Sequence, residues 1–252
     1  MENVTIPKPK AAPESRQITR SEPVTNRFTA FWSTEIGKKI VMAITGIVLI
    51  GFVIGHMVGN LKIFLGPGEI NAYASFLRTV GAPAFGNEQV LWLVRIFLII
   101  CVTLHITAAI QLTRMSHAAR PTGYAVKRNI KTTIAAQTMR WGGVLLALFI
   151  VFHLLHMTGG VVGFAPGQYI YLDVYHNVVA AFNVWPVAIF YVIAMGALCL
   201  HLSHGIWSML QTLGFNTARN EALLKIIAHT IAIIVFLGFS SVPVAVMTGW
   251  LH

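Results

Sequence analysis

Five stretches of the chain stay apolar for about twenty residues or more with few or no charges in their middles: about 39–65, 89–113, 141–164, 185–211 and 226–250. A helix rises ~1.5 Å per residue, so ~20 such residues cross the hydrocarbon of a bilayer. Each stretch predicts a transmembrane helix, and the fold class expected is an all-α, five-helix membrane bundle. The connections are punctuated by Pro67, Pro83, Pro121 and Pro166, where helices stop. Pro186 falls near the start of the fourth span, where a missing N–H does no harm. Pro243 falls inside the fifth and predicts a kink. Between the first two spans, Ile70 to Val80 alternates as an amphipathic helix that would lie along the membrane surface.

Ahead of the first span the pattern disappears. Residues 1–38 hold four prolines and little hydrophobic periodicity, which reads as a polar arm, mobile or docked on a partner. The arm is too long and polar for a signal peptide, and no cleavage motif follows the first apolar run. Two units are therefore expected: the arm, 1–38, and the membrane domain, 39–252. Neither contains a convincing internal repeat.

Composition agrees. The chain is 56% hydrophobic and 10% charged with mean hydropathy +0.71, whereas soluble domains carry about 25% charged residues. A net charge of +10 would suit nucleic acid, but its placement says otherwise. Seven Lys/Arg lie in the arm through Lys39, six in the 114–140 connection and two in the 212–225 connection. Only Lys62, Arg78 and Arg95 belong to the first outer region, and the 165–184 loop has none. The positive-inside rule then expects a cytoplasmic N-terminus and an external C-terminus. The basic face invites an acidic partner or anionic lipid, not nucleic acid. Cys101 and Cys199 lie inside spans without a CxxC partner and read as small buried residues.

Histidines are where chemistry enters. His56, His105, the pair His153 and His156, and the pair His201 and His204 all fall within the first four spans. Intramembrane ionisable groups are functional candidates by default. With the N-terminus inside, His56 lies roughly 25 Å and His153 roughly 20 Å above the cytoplasmic face, His105 ~13 Å and His201 ~15 Å. Two layers result: His56 with His153 or His156 outside, and His105 with His201 or His204 inside. Imidazoles facing across a bundle at two depths are what two bis-histidine haem b groups require. Gly142, three turns before His153, would leave room for the inner group. The Gly51, Gly55, Gly59 stripe serves either close helix packing or the same purpose.

Zinc is disfavoured, since the ligands split between levels and no Cys, Asp or Glu converges on them. Glu35, Glu69, Glu88, Asp173 and Glu221 all lie at or beyond helix ends. A proton pump or cation-coupled carrier would place a carboxylate at mid-depth, so electron transfer is the better reading. A haem-free anchor or carrier is the competing class.

The stretches "STEIGKKIVMAITGIVLIGFVIGHMVGNLKIFLG", "INAYASFLR", "RWGGVLLALFIVFHLLHMTGG" and "LHLSHGIWSMLQTLG" resemble the five-helix, di-haem cytochrome b anchor of bacterial succinate dehydrogenase and fumarate reductase, over about residues 31–251. The resemblance implies His56, followed by Asn60, and His105 as ligands in the first two spans. In the third, the family's arginine precedes the ligand by thirteen residues, which Arg140 and His153 reproduce. In the fourth, glycines follow the ligand by four and by thirteen, as Gly205 and Gly214 follow His201. The implied pairs are His56 with His153 and His105 with His201. His156 and His204 are left for hydrogen bonds between helices or to haem propionates, or for a quinone pocket. His117, His176, His229 and His252 read as interfacial.

The resemblance further implies a flavoprotein subunit with FAD and an iron–sulfur subunit on the cytoplasmic face of a bacterial cell membrane. Electrons from succinate would reach a quinone, usually menaquinone, by way of the two haems b. The reverse activity, quinol:fumarate reduction, and a higher oligomer of the complex both stay open. Candidate contacts to quinone or haem propionates are Asn60, Lys62, Tyr73, Arg78 and Arg95 at the outer face, and Trp32, Ser33 and Lys38 at the inner one.

Overall fold

The computed structural model describes residues 26–119 and 134–252, and these are helical with no strand among them. A short α1 (Arg27–Ser33) leads into α2 (Glu35–Leu61), which a 3-10 turn extends to Leu65. The α3 helix (Pro67–Thr79) follows, then α4 (Gln89–Ala118) and α5 (Ile134–His153). A π turn (Leu154–Thr158) closes α5, and α6 (Val174–Phe182), α7 (Trp185–Thr212) and α8 (Glu221–Met247) complete the chain. Five of these segments are long and apolar enough to cross a membrane: Glu35–Leu65, Gln89–Ala118, Thr138–Thr158, Trp185–Thr212 and Glu221–Met247. The chain is a multi-pass membrane protein by that measure.

Hydrocarbon offers the backbone no partner, so a spanning segment closes its hydrogen bonds within one helix. The side chains that point outward are correspondingly large and apolar, among them Trp92, Phe97, Ile99, Leu148 and Ile193. In water such a surface would aggregate; in lipid it is solvated.

Three helices, α1, α3 and α6, lie outside the five spans. The Ile70 to Val80 stretch lies in α3, which Pro67 opens. Residues 26–38, placed by their polarity in the arm, form α1 and the first turn of α2. The Thr34 side chain accepts the Gly37 N–H at 2.9 Å, capping α2 four residues earlier than hydropathy suggests. The remainder of the arm, 1–25, and the 120–133 segment lie outside the described residues. The third span ends at Thr158 rather than at 164 because the chain leaves the helix at Gly159, and Gly160 turns with φ +61°. Pro243 sits within α8, fully buried, and withdraws one N–H from the ladder there.

Packing pairs the helices unevenly. The most extensive contact joins α7 to α8; α4 lies along α2, and α5 along α7. Neither α2 with α5 nor α4 with α7 is a principal packing pair. At the end that carries α3 and α6, the Asn71 amide donates to Asp173 Oδ1 at 3.0 Å, and its oxygen accepts the Tyr175 N–H at 3.1 Å. One asparagine thus ties two connections that are a hundred residues apart in sequence.

Candidate functional site

Histidines bridge these two weakly packed helix pairs. His56 on α2 and His153 at the end of α5 have ring centroids 5.9 Å apart, edge to face. His105 on α4 and His201 on α7 have centroids 6.4 Å apart. The first pair lies about five residues from the α3/α6 end of its helices and the second about sixteen, so the tiers are separated by roughly 16 Å along the bundle. They are called the upper and lower tiers below. Of the alternatives left open by depth alone, the geometry brings together His153 and His201 with their partners. His156 and His204 lie elsewhere.

Thr45 stands beside one ring of the lower pair. Its hydroxyl hydrogen is directed to the Val41 carbonyl at 2.8 Å, with the Met42 carbonyl at 3.2 Å. Toward His105 Nδ1, 3.2 Å away, the oxygen can therefore only accept. In that arrangement His105 holds its hydrogen on Nδ1 and leaves the lone pair on Nε2. This is the tautomer a metal ligand needs, with the second nitrogen anchored by a neighbour. His201 Nδ1 is buried and has no partner among the described residues, so this ring has polar capacity to give.

Space accompanies the rings. A Cβ on Gly46 would lie 3.7 Å from His105 Cε1, and one on Gly143 3.8 Å from His201 Cε1, both ordinary contact distances. Gly51, Gly55, Gly142 and Gly196 have nothing within 4 Å of that position. Gly59 differs from its stripe-mates, for a Cβ there would meet the Tyr73 ring at 2.6 Å. The stripe thus divides into one packing glycine and two with open space.

Among the described residues no group of three or more His, Cys, Asp or Glu could hold a metal ion. Four imidazoles in two separated pairs are a donor set for two metals that bring their own equatorial ligands. Iron porphyrin is such a group. A metal–imidazole bond of about 2 Å on each side, plus about 1 Å from nitrogen to ring centre, would put the centroids of two imidazoles facing each other across one metal about 6 Å apart. The two observed separations, 5.9 and 6.4 Å, bracket that value. The residues fit the group.

Sequence reasoning missed Tyr191 as well as Thr45. Its hydroxyl on α7 lies 3.3 Å from His153 Nδ1 and 2.9 Å from His156 Nδ1. His156 is wholly buried, against Phe152, Phe164 and Tyr191, with Nε2 unpartnered. The π turn that begins at Leu154 closes on a Gly159 N–H to Leu154 carbonyl bond at 2.9 Å, spanning five residues. Such widened turns gather at functional sites. The signal that could have found Tyr191 is a lone phenol at span depth, where a buried hydroxyl needs a partner.

The remaining candidates are dispersed. His204 packs against Trp207 at 5.9 Å. Lys38 is buried, and its ammonium is held by the Trp32 and Ser33 carbonyls at 2.6 and 3.1 Å, closing the end of α1. The Ser33 hydroxyl donates to the Ala30 carbonyl. Lys62 stands 3.8 Å from Glu69 and over the Tyr73 ring, while Arg78 pairs with Glu88 at 3.3 Å and lies over Tyr171. Arg95 lies over Trp92, and among the described residues no carboxylate pairs with it. Nor does the Asn60 side chain make a hydrogen bond among them. Arg140 meets His117 Nε2 at 2.9 Å, at the opposite end from α3.

Outside the spans, Asp173 caps α6. The His176 N–H and then the Asn71 amide hold its carboxyl below the usual carboxylate range.

Compared with family models, curated proteins and solved structures, the chain matches none.

Proposed function

We propose that the chain is the membrane anchor of a bacterial succinate:quinone oxidoreductase, holding one haem b between His56 and His153 and a second between His105 and His201. The observation that carries this reading is the double opposition of imidazoles, about 6 Å between centroids in each tier, across helix pairs that are not principal packing pairs. When bound, haem supplies reversible one-electron transfer. The chain's part is to fix the ligand rings, keep water from them and hold the two tiers at set depths. Thr45 and Tyr191 orient the rings, and apolar side chains wall them in. The resemblance of the histidine-bearing stretches to the di-haem anchor family narrows a two-haem bundle to this particular enzyme.

In that reading the basic end, with α1 and the 114–140 connection, faces the cytoplasm and docks the flavoprotein and iron–sulfur subunits. Menaquinone is met at the α3/α6 end, where, among the described residues, the Asn60 side chain makes no hydrogen bond and Arg95, over Trp92, has no carboxylate partner. Lys62, Tyr73 and Arg78 stand near them, each already engaged with a neighbour.

The test is a reduced-minus-oxidised visible spectrum of the purified protein with a haem assay. Low-spin b-type bands at two haems per chain, in a preparation that also contains flavin and oxidises succinate with a quinone acceptor, are the expected result. Colourless, correctly assembled protein would end the proposal.

A further inference from the structure

Tyr191 touches both histidines of the FHLLH stretch, with its Oη 3.3 Å from His153 Nδ1 and 2.9 Å from His156 Nδ1. A phenol has one hydrogen, so it donates to one ring and can only accept from the other. Were both Nδ1 atoms to carry hydrogens, the phenolic hydrogen would have no acceptor in a side chain that is 6% exposed, which is costly. The two rings therefore meet Tyr191 in opposite tautomers. The chain alone leaves open which ring donates, since the His156 Nε2 atom is buried and unpartnered in either case. A ligand role for His153 decides it: Nε2 must offer its lone pair to iron, so Nδ1 keeps the hydrogen.

We propose that Tyr191 is the positioning residue of the upper pair, accepting the Nδ1–H of His153 and donating its own hydroxyl to Nδ1 of His156. This inference rests on the di-haem reading. The phenol is held for the task, for its ring stands edge to face against Phe149 and Phe182, each at 5.0 Å. His156 gains a function that is not ligation: it is the acceptor that points the phenolic hydrogen away from His153. An acceptor on the distal N–H of an axial imidazole makes that ring a stronger donor to iron. It thereby favours the oxidised metal and lowers the midpoint potential, hydrogen bonding around the ligands being one of the protein's levers on haem.

The experiment uses the whole complex in detergent. A redox titration followed in the visible resolves the b-type components, and His56→Ala identifies the upper one by its loss. Tyr191→Phe keeps the ring and its packing while removing the hydroxyl. The expected result is two haems retained, the upper midpoint shifted upward and the lower unmoved. In parallel, spectra of reduced, diamagnetic wild-type complex labelled with 15N-histidine should show hydrogen on Nδ1 of His153 and on Nε2 of His156. Two haems with an unmoved upper potential in Tyr191→Phe would overturn this inference and leave the di-haem reading standing. If that variant fails to assemble, the histidine spectra decide: reversed or identical tautomers overturn the inference. Wild-type complex without haem overturns both.

Discussion

The Thr45 hydroxyl stands 3.2 Å from Nδ1 of His105, across the contact between α2 and α4. Its own hydrogen is directed one turn back along α2, so it holds the imidazole with Nε2 free. Replacing Thr45 by Val removes this acceptor and leaves the ring N–H with the Met42 carbonyl alone. Orienting neighbours of this kind are worth about 10–100-fold in metal affinity. Thr45→Val should therefore weaken haem binding at the lower tier by about that factor and leave the upper tier alone. Titration of haem into apoprotein, followed as two b-type components, measures it. Equal weakening of both components would mean the threonine acts on the fold rather than on His105.

The pairing itself is open to a sharper test. His56→Ala and His153→Ala should each remove one and the same b-type component, while His105→Ala and His201→Ala should each remove the other. Difference spectra of the four variants, with haem counted per chain, give the answer. A cross-pattern in which His56→Ala and His105→Ala remove the same component contradicts the geometry. His204→Ala should retain both, since His204 rests against Trp207.

How much of this was legible before the structure depends on what hydropathy can sense. The fourth span was placed almost to the residue and the second at its start, because polarity changes there, but α4 runs on past 113 through Arg114 and His117 to Ala118. The third was drawn through 164 because Val161, Val162 and Phe164 keep the average high, whereas Gly159 and Gly160 turn the backbone there regardless. The first was drawn late because Glu35, Lys38 and Lys39 lower the average within a turn that Thr34 caps all the same. For the site, helical rise was enough to sort the histidines into tiers. It could not separate His153 from His156, which lie less than one turn apart on one face. Thr45 and Tyr191 were not legible, since a lone hydroxyl in an apolar run is usually satisfied by its own helix. Only the opposite helix reveals what else it meets.

The glycines separate by what surrounds them. A Cβ on Gly238 would overlap the buried Met57 side chain where α8 crosses α2. Gly238→Ala should therefore cost about 1 kcal/mol of stability, modest because the thioether can yield, and so lower the thermal midpoint of the detergent-solubilised protein. Gly143→Leu makes a different case. A Cβ at that position meets only His201 Cε1, at 3.8 Å, so the helix should tolerate the change, yet the added side chain fills the space beside the lower pair. Loss of the lower haem with an unchanged thermal midpoint of the apoprotein is expected. A Gly143→Leu variant that binds two haems would show that the space beside His201 is not where the group sits.

The clamp between α3 and α6 should depend on acidity, with a definite sign. The folded carboxyl of Asp173 titrates below its unfolded counterpart, because the His176 N–H and the Asn71 amide stabilise its charged form. A carboxylate depressed in this way adds stability that is complete above the unfolded value, near ~3.9. That stability is lost as pH falls through the lower, folded value. Hydrogen exchange across 170–177, corrected for its intrinsic pH dependence, should be slow from neutral pH down to about 4 and speed up only below it. Asp173→Asn keeps an oxygen for the His176 N–H but loses the charge. This variant should show weaker protection near neutrality and little change on acidification. Equal pH dependence in both proteins would place the acid-sensitive group elsewhere, with Glu69 and Glu88 at the same end the next to examine.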